Sequence, residues 1–174
     1  LEKVTWNAAD FAIRATKNAE NTLIAGFTTV RQLGDSDTVT ISLRNAIDNG
    51  IVIGPRIFSS GKTISSTGGH GDSSNSLNQR LTDDLGPKDG VMNGEQEAME
   101  SVRFRYKENA DLIKFTATGG VLSNAKDGQN PQMTINEMKA IVSTAKDYGF
   151  KVAAHAHGAE GIKRAVLALS LIHI

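Results

Sequence analysis

Apolar positions recur along the chain in two different patterns. Between Trp6 and Ile24, apolar residues such as Phe11 and Ala19 fall at helical spacing, and Gly26 follows as a C-terminal cap would. Other segments are short and rich in β-branched residues, which is typical of strands. The patterns predict helices over residues 6–24, 42–48, 95–110, 134–149 and 159–167, and strands over residues 27–33, 56–60, 111–118 and 151–157.

The predicted helices and strands alternate, and no hairpin signal joins two strands. Repeated strand–helix–strand order predicts parallel strands with right-handed crossovers, which is an α/β architecture. Two arrangements fit this order, an open doubly wound sheet and a partial (β/α)8 TIM barrel. A whole barrel takes roughly 250 residues, so the strands predicted here would make about half of one.

Composition narrows the kinds of molecule that the chain contacts. Apolar residues make up 39% and charged residues 22%, as in a globular domain that is neither disordered nor membrane-spanning. Nineteen basic residues balance nineteen acidic ones, which argues against nucleic acid or an anionic membrane as a partner. The chain has no cysteine, so we expect any metal to bind His, Asp, Glu or a modified Lys.

The opening residues indicate a piece of a longer protein. The first residue is Leu rather than Met, and the segment that follows lacks the basic-then-apolar order of a signal peptide. We therefore expect the chain to begin inside its parent protein. Localisation stays open, since both a cytoplasmic and an exported parent are compatible with this start.

Two histidines lie at the end of the last predicted strand. His155 and His157 are two residues apart, so a strand would point both to one side, opposite Val152 and Ala154. Histidine is the commonest metal ligand, and an ordinary hydrogen-bonded pair of histidines fits the same spacing. From the spacing alone, both interpretations stay open.

Lys114 lies in the middle of a predicted strand on a face that a barrel would turn inward. A snorkelling lysine or an ion pair, for example with Asp111, is the ordinary interpretation. Two functional alternatives are a desolvated Schiff-base nucleophile and an amine modified to a carbamate. A carbamate would turn the cation into a carboxylate that two divalent metals could share.

Two glycine clusters follow predicted strands. The first, Thr67 to Asp72, contains His70 and belongs to a Gly-, Ser- and Asn-rich stretch of the length that functional loops have. The second contains Gly119 and Gly120. Glycine lets the backbone approach a ligand and point its amides at it. Asp35, after the first strand, is interpreted as a turn residue rather than a ligand.

Several of these segments together resemble a known enzyme superfamily. In order and spacing, the chain contains GFTTVRQLGD, GPRIFSSGKTISSTGGHGD, ADLIKFTATGG and KVAAHAHGAEGIKRAV. This set resembles the metal-dependent amidohydrolases, in particular the imidazolonepropionase-like and Xaa-Pro dipeptidase-like (prolidase-like) branch. The resemblance extends from about residue 7 to residue 168 and covers the second to fifth barrel strands.

The resemblance implies a site at the carboxyl ends of the barrel strands. It implies two divalent metal ions, commonly zinc, with Lys114 carboxylated and bridging them and His155 as a ligand. His70 would be catalytic by polarising the scissile carbonyl. His157, Gly119 and Gly120 would border the substrate, a small-molecule or peptide amide whose C–N bond a metal-activated water hydrolyses.

The chain also departs from the family pattern. The first-strand histidine pair, the sixth-strand histidine and the eighth-strand aspartate have no counterpart in it. We expect residues 1–168 to form a partial barrel domain and residues 169–174 to be a non-matching tail, so His173 receives no role. Alone, this fragment is expected to be inactive, and its oligomeric state stays open.

Two further hypotheses compete with the metal-dependent hydrolase. One is a lyase barrel that uses Lys114 as a Schiff-base lysine. The other is a non-catalytic half-barrel that complements another chain. Borohydride trapping on Lys114 would favour the lyase, whereas bicarbonate-dependent metal uptake would favour the carbamate.

Overall fold

The computed structural model describes residues 2–123, 126–168 and 172–173. Its helices are α1 (Glu2–Thr5), α2 (Ala8–Ile24), α3 (Val39–Asp48), α4 (Gly94–Lys107), α5 (Ile135–Asp147) and α6 (Ala159–Leu167). Its strands are β1 (Thr29–Gln32), β2 (Arg56–Ser59), β3 (Ser65–Ser66), β4 (Val91–Met92), β5 (Leu112–Thr116), β6 (Lys151–His155) and β7 (Ile172–His173).

Every strand pair in the described part of the chain is parallel. β1 pairs with β2, β3 with β4, and β6 lies between β5 and β7. The β2 segment meets β5 where Ser59 accepts a hydrogen bond from the Asp111 amide at 2.7 Å. Farther along, Ile64 forms a parallel bridge with Phe115. The strands therefore follow one another side by side, as consecutive barrel strands do.

The helices cover one face of this curved layer. Ile113 and Phe115 of β5 and Val152 of β6 are buried against α4 and α5, where Val102 and Ile141 are also buried. The apolar positions of the two strands share this face because successive side chains alternate. The predicted α/β class with parallel strands and flanking helices is confirmed, and no closed barrel forms among the described residues.

Local sequence signals explain where the helices begin. Thr134 caps α5 through a capping box in which its hydroxyl accepts from the Glu137 amide and its own amide donates to the Glu137 carboxylate. Asn7 caps α2 in the same manner with Asp10. Gly149, with a φ of 76°, follows α5 in the left-handed conformation that glycine favours. The predicted helix from Thr134 to Gly149 is confirmed.

Several element bounds differ from the prediction by a few residues, and two differences bear on the site. The glycine-rich stretch before α4 contains the short strands β3 and β4, which pair with each other and were not predicted. β6 ends at His155, so His157 lies beyond the strand. Both differences arise from contacts distant in sequence, which local patterns do not encode.

The end of the chain is described only in part. Residues 169–171 and 174 lie outside the described residues, and β7 pairs its backbone with β6 through Ala153 and Ala154. That residues 169–174 form a tail outside the barrel domain stays a prediction. Among the described helices, none is long and apolar enough to span a membrane.

Candidate active site

Lys114 and His155 share the face of the sheet opposite the helices. The register of β5 and β6 pairs Lys114 with Ala153 and Thr116 with His155. Paired residues in neighbouring strands point to the same side, and so do residues two apart in one strand. The small Ala153 side chain beside Lys114 leaves room on this face, which would lie inside a closed barrel.

Lys114 is a buried residue, and its amine has no hydrogen-bond or ion-pair partner within the described residues. The residue is 9% exposed, and burial lowers the pKa of its amine below the ordinary lysine value. Asp111, the ion-pair partner considered from the sequence, instead pairs with Arg44 at 2.5 Å. Burial without a partner therefore makes the ammonium form less favourable here than at an exposed lysine.

His155 stacks on His70, which arrives from a loop more than eighty residues earlier in the chain. The two ring centroids are 4.4 Å apart and the rings are inclined by 22°. Nε2 of His155 lies 3.1 Å from the carbonyl oxygen of Gly119, which can only accept, so Nε2 carries the proton and Nδ1 keeps its lone pair.

Both stacked histidines are held toward their neutral forms. Burial is the largest cause that lowers the pKa of His70, followed by the charges of Lys114 and His157. Burial also lowers the pKa of His155, and its bond to Gly119 partly opposes this effect. These shared charge effects show that the lysine and the three histidines lie within electrostatic reach of one another.

His157 lies at the open side of this group. Its ring centroid is 5.0 Å from that of His155, and its side chain is exposed. Its backbone amide donates to the Thr118 hydroxyl at 2.9 Å. His157 is therefore near the site without being part of the sheet face that carries Lys114.

Hydrogen bonds hold the loop that carries His70 on two sides. The His70 amide donates to Oε1 of Gln132 at 2.8 Å, and Ser66 donates to the Gln132 carbonyl at 2.7 Å. The ring nitrogen Nδ1 contacts the hydroxyl of Ser123 at 2.6 Å. At the loop's far end, Asp72 accepts hydrogen bonds from the amides of residues 68 and 74. His70 thus occupies a defined position within the site.

Three residues of the site were not predicted from the sequence: Ser123, Gln132 and Thr118. All three contact a histidine or its backbone, and all lie in the segment between β5 and α5 or at its start. Their partners lie between 39 and 62 residues away. No local signal in the sequence marks such pairs.

Gly119 and Gly120 bring the backbone against the two imidazoles. A Cβ atom on Gly120 would stand 2.8 Å from Cε1 of His70 and 3.0 Å from Nε2 of His155. A Cβ on Gly119 would stand 2.9 Å from the Gly128 backbone. Close approach therefore requires glycine at both positions.

We expect Gly120→Ala to push the stacked rings of His70 and His155 apart. The added methyl would overlap both imidazoles, and overpacking of this kind typically costs about 1–3 kcal/mol. Urea unfolding would measure the lost stability, and the histidine ring resonances would report the broken stack. Gly86→Ala is the control, because its Cβ would meet nothing within 4 Å. Equal effects of the two variants would contradict this prediction.

Asp35 has the structural role that the sequence indicated. Its carboxylate accepts from the amide and the hydroxyl of Thr40 at 2.7 and 2.6 Å, in the first turn of α3. The carboxylate is therefore occupied at the start of a helix, which is a stabilising position for a negative charge.

The described side chains supply only part of the metal site that the resemblance implies. Among the described residues, no group of three or more His, Asp or Glu side chains is placed to hold a metal. Two donors do fit: Nδ1 of His155 has a free lone pair, and the Lys114 amine would offer carboxylate oxygens once converted to a carbamate. The described residues therefore fit part of a metal site, which needs further donors.

One known protein family matches this chain over nearly its whole length. The model of the amidohydrolase family matches residues 2–170. Ochratoxinase from Aspergillus niger is 30% identical over 179 residues, which cover 95% of this chain and 37% of that protein.

Solved structures agree with this match. The chain superposes on a Xaa-Pro dipeptidase with bound methionine at a TM-score of 0.87 and 58% identity, covering 90% of this chain and 39% of that one. A prolidase complexed with N-methylphosphonate-L-proline gives a TM-score of 0.80 and 37% identity, covering 95% of this chain and 41% of that one. The chain thus spans about two fifths of the length of these relatives.

Proposed function

Because the chain belongs to the amidohydrolase family, we propose that it forms part of the barrel of an enzyme that hydrolyses Xaa-Pro dipeptides. The family and its relatives support hydrolysis of an amide bond. The observation that carries the substrate class is the 58% identity to a Xaa-Pro dipeptidase across 90% of this chain. Ochratoxinase, at 30% identity, supplies a second candidate substrate, ochratoxin.

In this proposal, Lys114 and His155 would contribute two of the ligands of a centre for divalent metal ions, with zinc as the expected metal, and further ligands would come from other parts of the barrel. Lys114 acts as a carbamate, which its buried and unpartnered amine supports. His155 contributes Nδ1, since its Nε2 donates to Gly119. When bound, such ions lower the pKa of a water molecule and polarise the substrate carbonyl.

The remaining residues of the site orient the substrate amide. We assign His70 the role of donating a hydrogen bond to the scissile carbonyl, because its ring stacks on His155 and burial lowers its pKa. Gly119 and Gly120 border the substrate with bare backbone, and the exposed ring of His157 lines the entrance. The chain spans about two fifths of the length of its relatives, so the chain alone is proposed to be inactive.

A chimeric barrel tests this function. The residues of this chain that align with the Xaa-Pro dipeptidase replace the matching segment of that enzyme, and the product (the chimeric barrel) is assayed on Xaa-Pro dipeptides and on ochratoxin. We expect hydrolysis of the dipeptides with added zinc and loss of activity on chelation. The same chain lacking the rest of the barrel serves as the inactive control.

The outcomes separate the candidates. A folded chimeric barrel that cleaves ochratoxin but no Xaa-Pro dipeptide would overturn the proposed substrate class. A folded, zinc-loaded chimeric barrel that cleaves neither amide would contradict the proposed function. Turnover by the 174-residue chain without a partner would contradict its proposed incompleteness.

A further inference from the structure

The loop after β5 carries a serine whose hydroxyl contacts the ring of His70. Ser123 Oγ lies 2.6 Å from Nδ1 of His70 and accepts a hydrogen bond from the Gly120 amide at 3.0 Å. The Ser123 amide donates to the Gly120 carbonyl, also at 3.0 Å. These reciprocal bonds close the turn from Gly120 to Ser123 and fix the hydroxyl against the imidazole.

The hydrogen bonds of Ser123 bear on which ring nitrogen of His70 carries the proton. A serine hydroxyl has a single proton to donate, and the Gly120 amide is itself a donor. Within the described residues, Nδ1 of His70 is the acceptor that the hydroxyl proton reaches. A neutral imidazole that accepts at Nδ1 carries its own proton on Nε2. We propose that Ser123 is a positioning residue that holds His70 as the Nε2–H tautomer and fixes its ring orientation.

This tautomer would place an N–H donor beside the backbone of Gly120. Nε2 of His70 lies 3.1 Å from the point where a Gly120 side chain would begin, and Nε2 of His155 lies 3.0 Å from the same point. Nε2 of His70 has no hydrogen-bond partner within the described ranges of the chain. Its N–H is therefore available to a carbonyl oxygen that enters beside Gly120, a consequence that rests on the proposed function.

Nitrogen NMR of the full 174-residue chain tests the tautomer directly. The chain is labelled with ¹⁵N, and the spectrum of the His70→Gln variant identifies the His70 resonances among the four histidines. Spectra are recorded about two pH units above the ordinary histidine pKa of about 6.5, where a free imidazole is neutral. We expect His70 to show an unprotonated, hydrogen-bonded Nδ1 and a protonated Nε2.

Variants of Ser123 then test its role. We expect Ser123→Ala to shift the His70 Nδ1 resonance to that of a nitrogen without a hydrogen bond and to introduce the Nδ1–H form. Ser123→Thr retains the hydroxyl and should restore the original signals. Ser143→Ala, at an exposed serine of α5, should change nothing. A proton on Nδ1 in the unmodified chain, or an unchanged His70 in Ser123→Ala, would overturn the proposal.

Activity of the chimeric barrel is a separate readout. If the proposed function holds, Ser123→Ala should lower kcat by about 10- to 100-fold, the range typical of outer contacts to site histidines, with a smaller effect on KM. An inactive chimeric barrel together with the expected NMR signals would reject the proposed function and keep the role of Ser123. An active chimeric barrel in which His70 carries its proton on Nδ1 would support the proposed function and reject the role of Ser123.

Discussion

Lys114→Met is expected to lower hydrolysis by the chimeric barrel strongly and to make the metal-free 174-residue chain more stable. Methionine cannot become a carbamate, so the variant would lose one of the groups proposed to hold the metal ions. Loss of several kcal/mol of transition-state stabilisation corresponds to a fall in kcat/KM of about 1000-fold. Steady-state kinetics with excess zinc would measure it.

The gain in stability follows from the burial of Lys114. Because burial lowers the pKa of its amine in the folded chain, protonation favours the unfolded chain at neutral pH. Removing the unpaired charge should raise the free energy of unfolding by on the order of 1 kcal/mol at pH 7. The advantage of the methionine variant should shrink as the pH rises toward 10.5, the ordinary pKa of lysine.

A matched substitution separates this effect from a general loss of charge. Lys139 is exposed on α5, so Lys139→Met should leave both the activity and the urea midpoint unchanged within error. If Lys114→Met destabilises the chain while Lys139→Met does not, the Lys114 amine has a stabilising partner. That outcome would contradict the proposal that this amine is free to become a carbamate.

The sequence predicted those parts of the site that follow from strand alternation. Alternating side chains in the segments 111–118 and 151–157 place Lys114 and His155 opposite the apolar residues, and the structure confirms these faces. The alternation continues through β6 only to His155, which is why His157 departs from the predicted geometry. The roles of these residues in catalysis stay predictions.

Contacts made by loops escaped prediction for a physical reason. The hydrogen bond between His70 and Ser123 joins residues that are 53 positions apart, and glycine-rich segments impose few constraints that local patterns reveal. The ion pair of Arg44 with Asp111 joins residues that are 67 positions apart. It occupies the carboxylate that was considered from the sequence as a partner for Lys114. Side-chain direction is local, whereas pairing between loops depends on the whole fold.

Arg105 provides the second large expected effect, because it joins α4 to two loops. Its side chain is fully buried, and Nε lies 2.8 Å from a carboxylate oxygen of Glu108. Its guanidinium also donates to the carbonyl oxygens of Lys62 and Lys88, at 3.3 and 2.7 Å. Lys62 lies in the segment that leads from β2 to the His70 loop.

Arg105→Met is expected to lower the free energy of unfolding by about 3 kcal/mol. The substitution leaves the largely buried Glu108 carboxylate unpaired and two carbonyl oxygens without a donor, and breaking a buried pair typically costs about 3–5 kcal/mol. The lower end applies because the Glu108 side chain is 23% exposed. Urea unfolding at pH 7 would measure the change.

Two companion variants make the Arg105 result specific. Arg103→Met removes an exposed arginine from the same helix and should change stability by no more than about 0.5 kcal/mol. Adding Glu108→Gln to Arg105→Met should recover part of the loss, since the unpaired charge disappears while the two carbonyl oxygens still lack their donor. An Arg105→Met variant as stable as Arg103→Met would show that the buried guanidinium contributes nothing net to the fold. If the His70 resonances shift in Arg105→Met and not in Arg103→Met, Arg105 of α4 helps to hold the His70 loop in position.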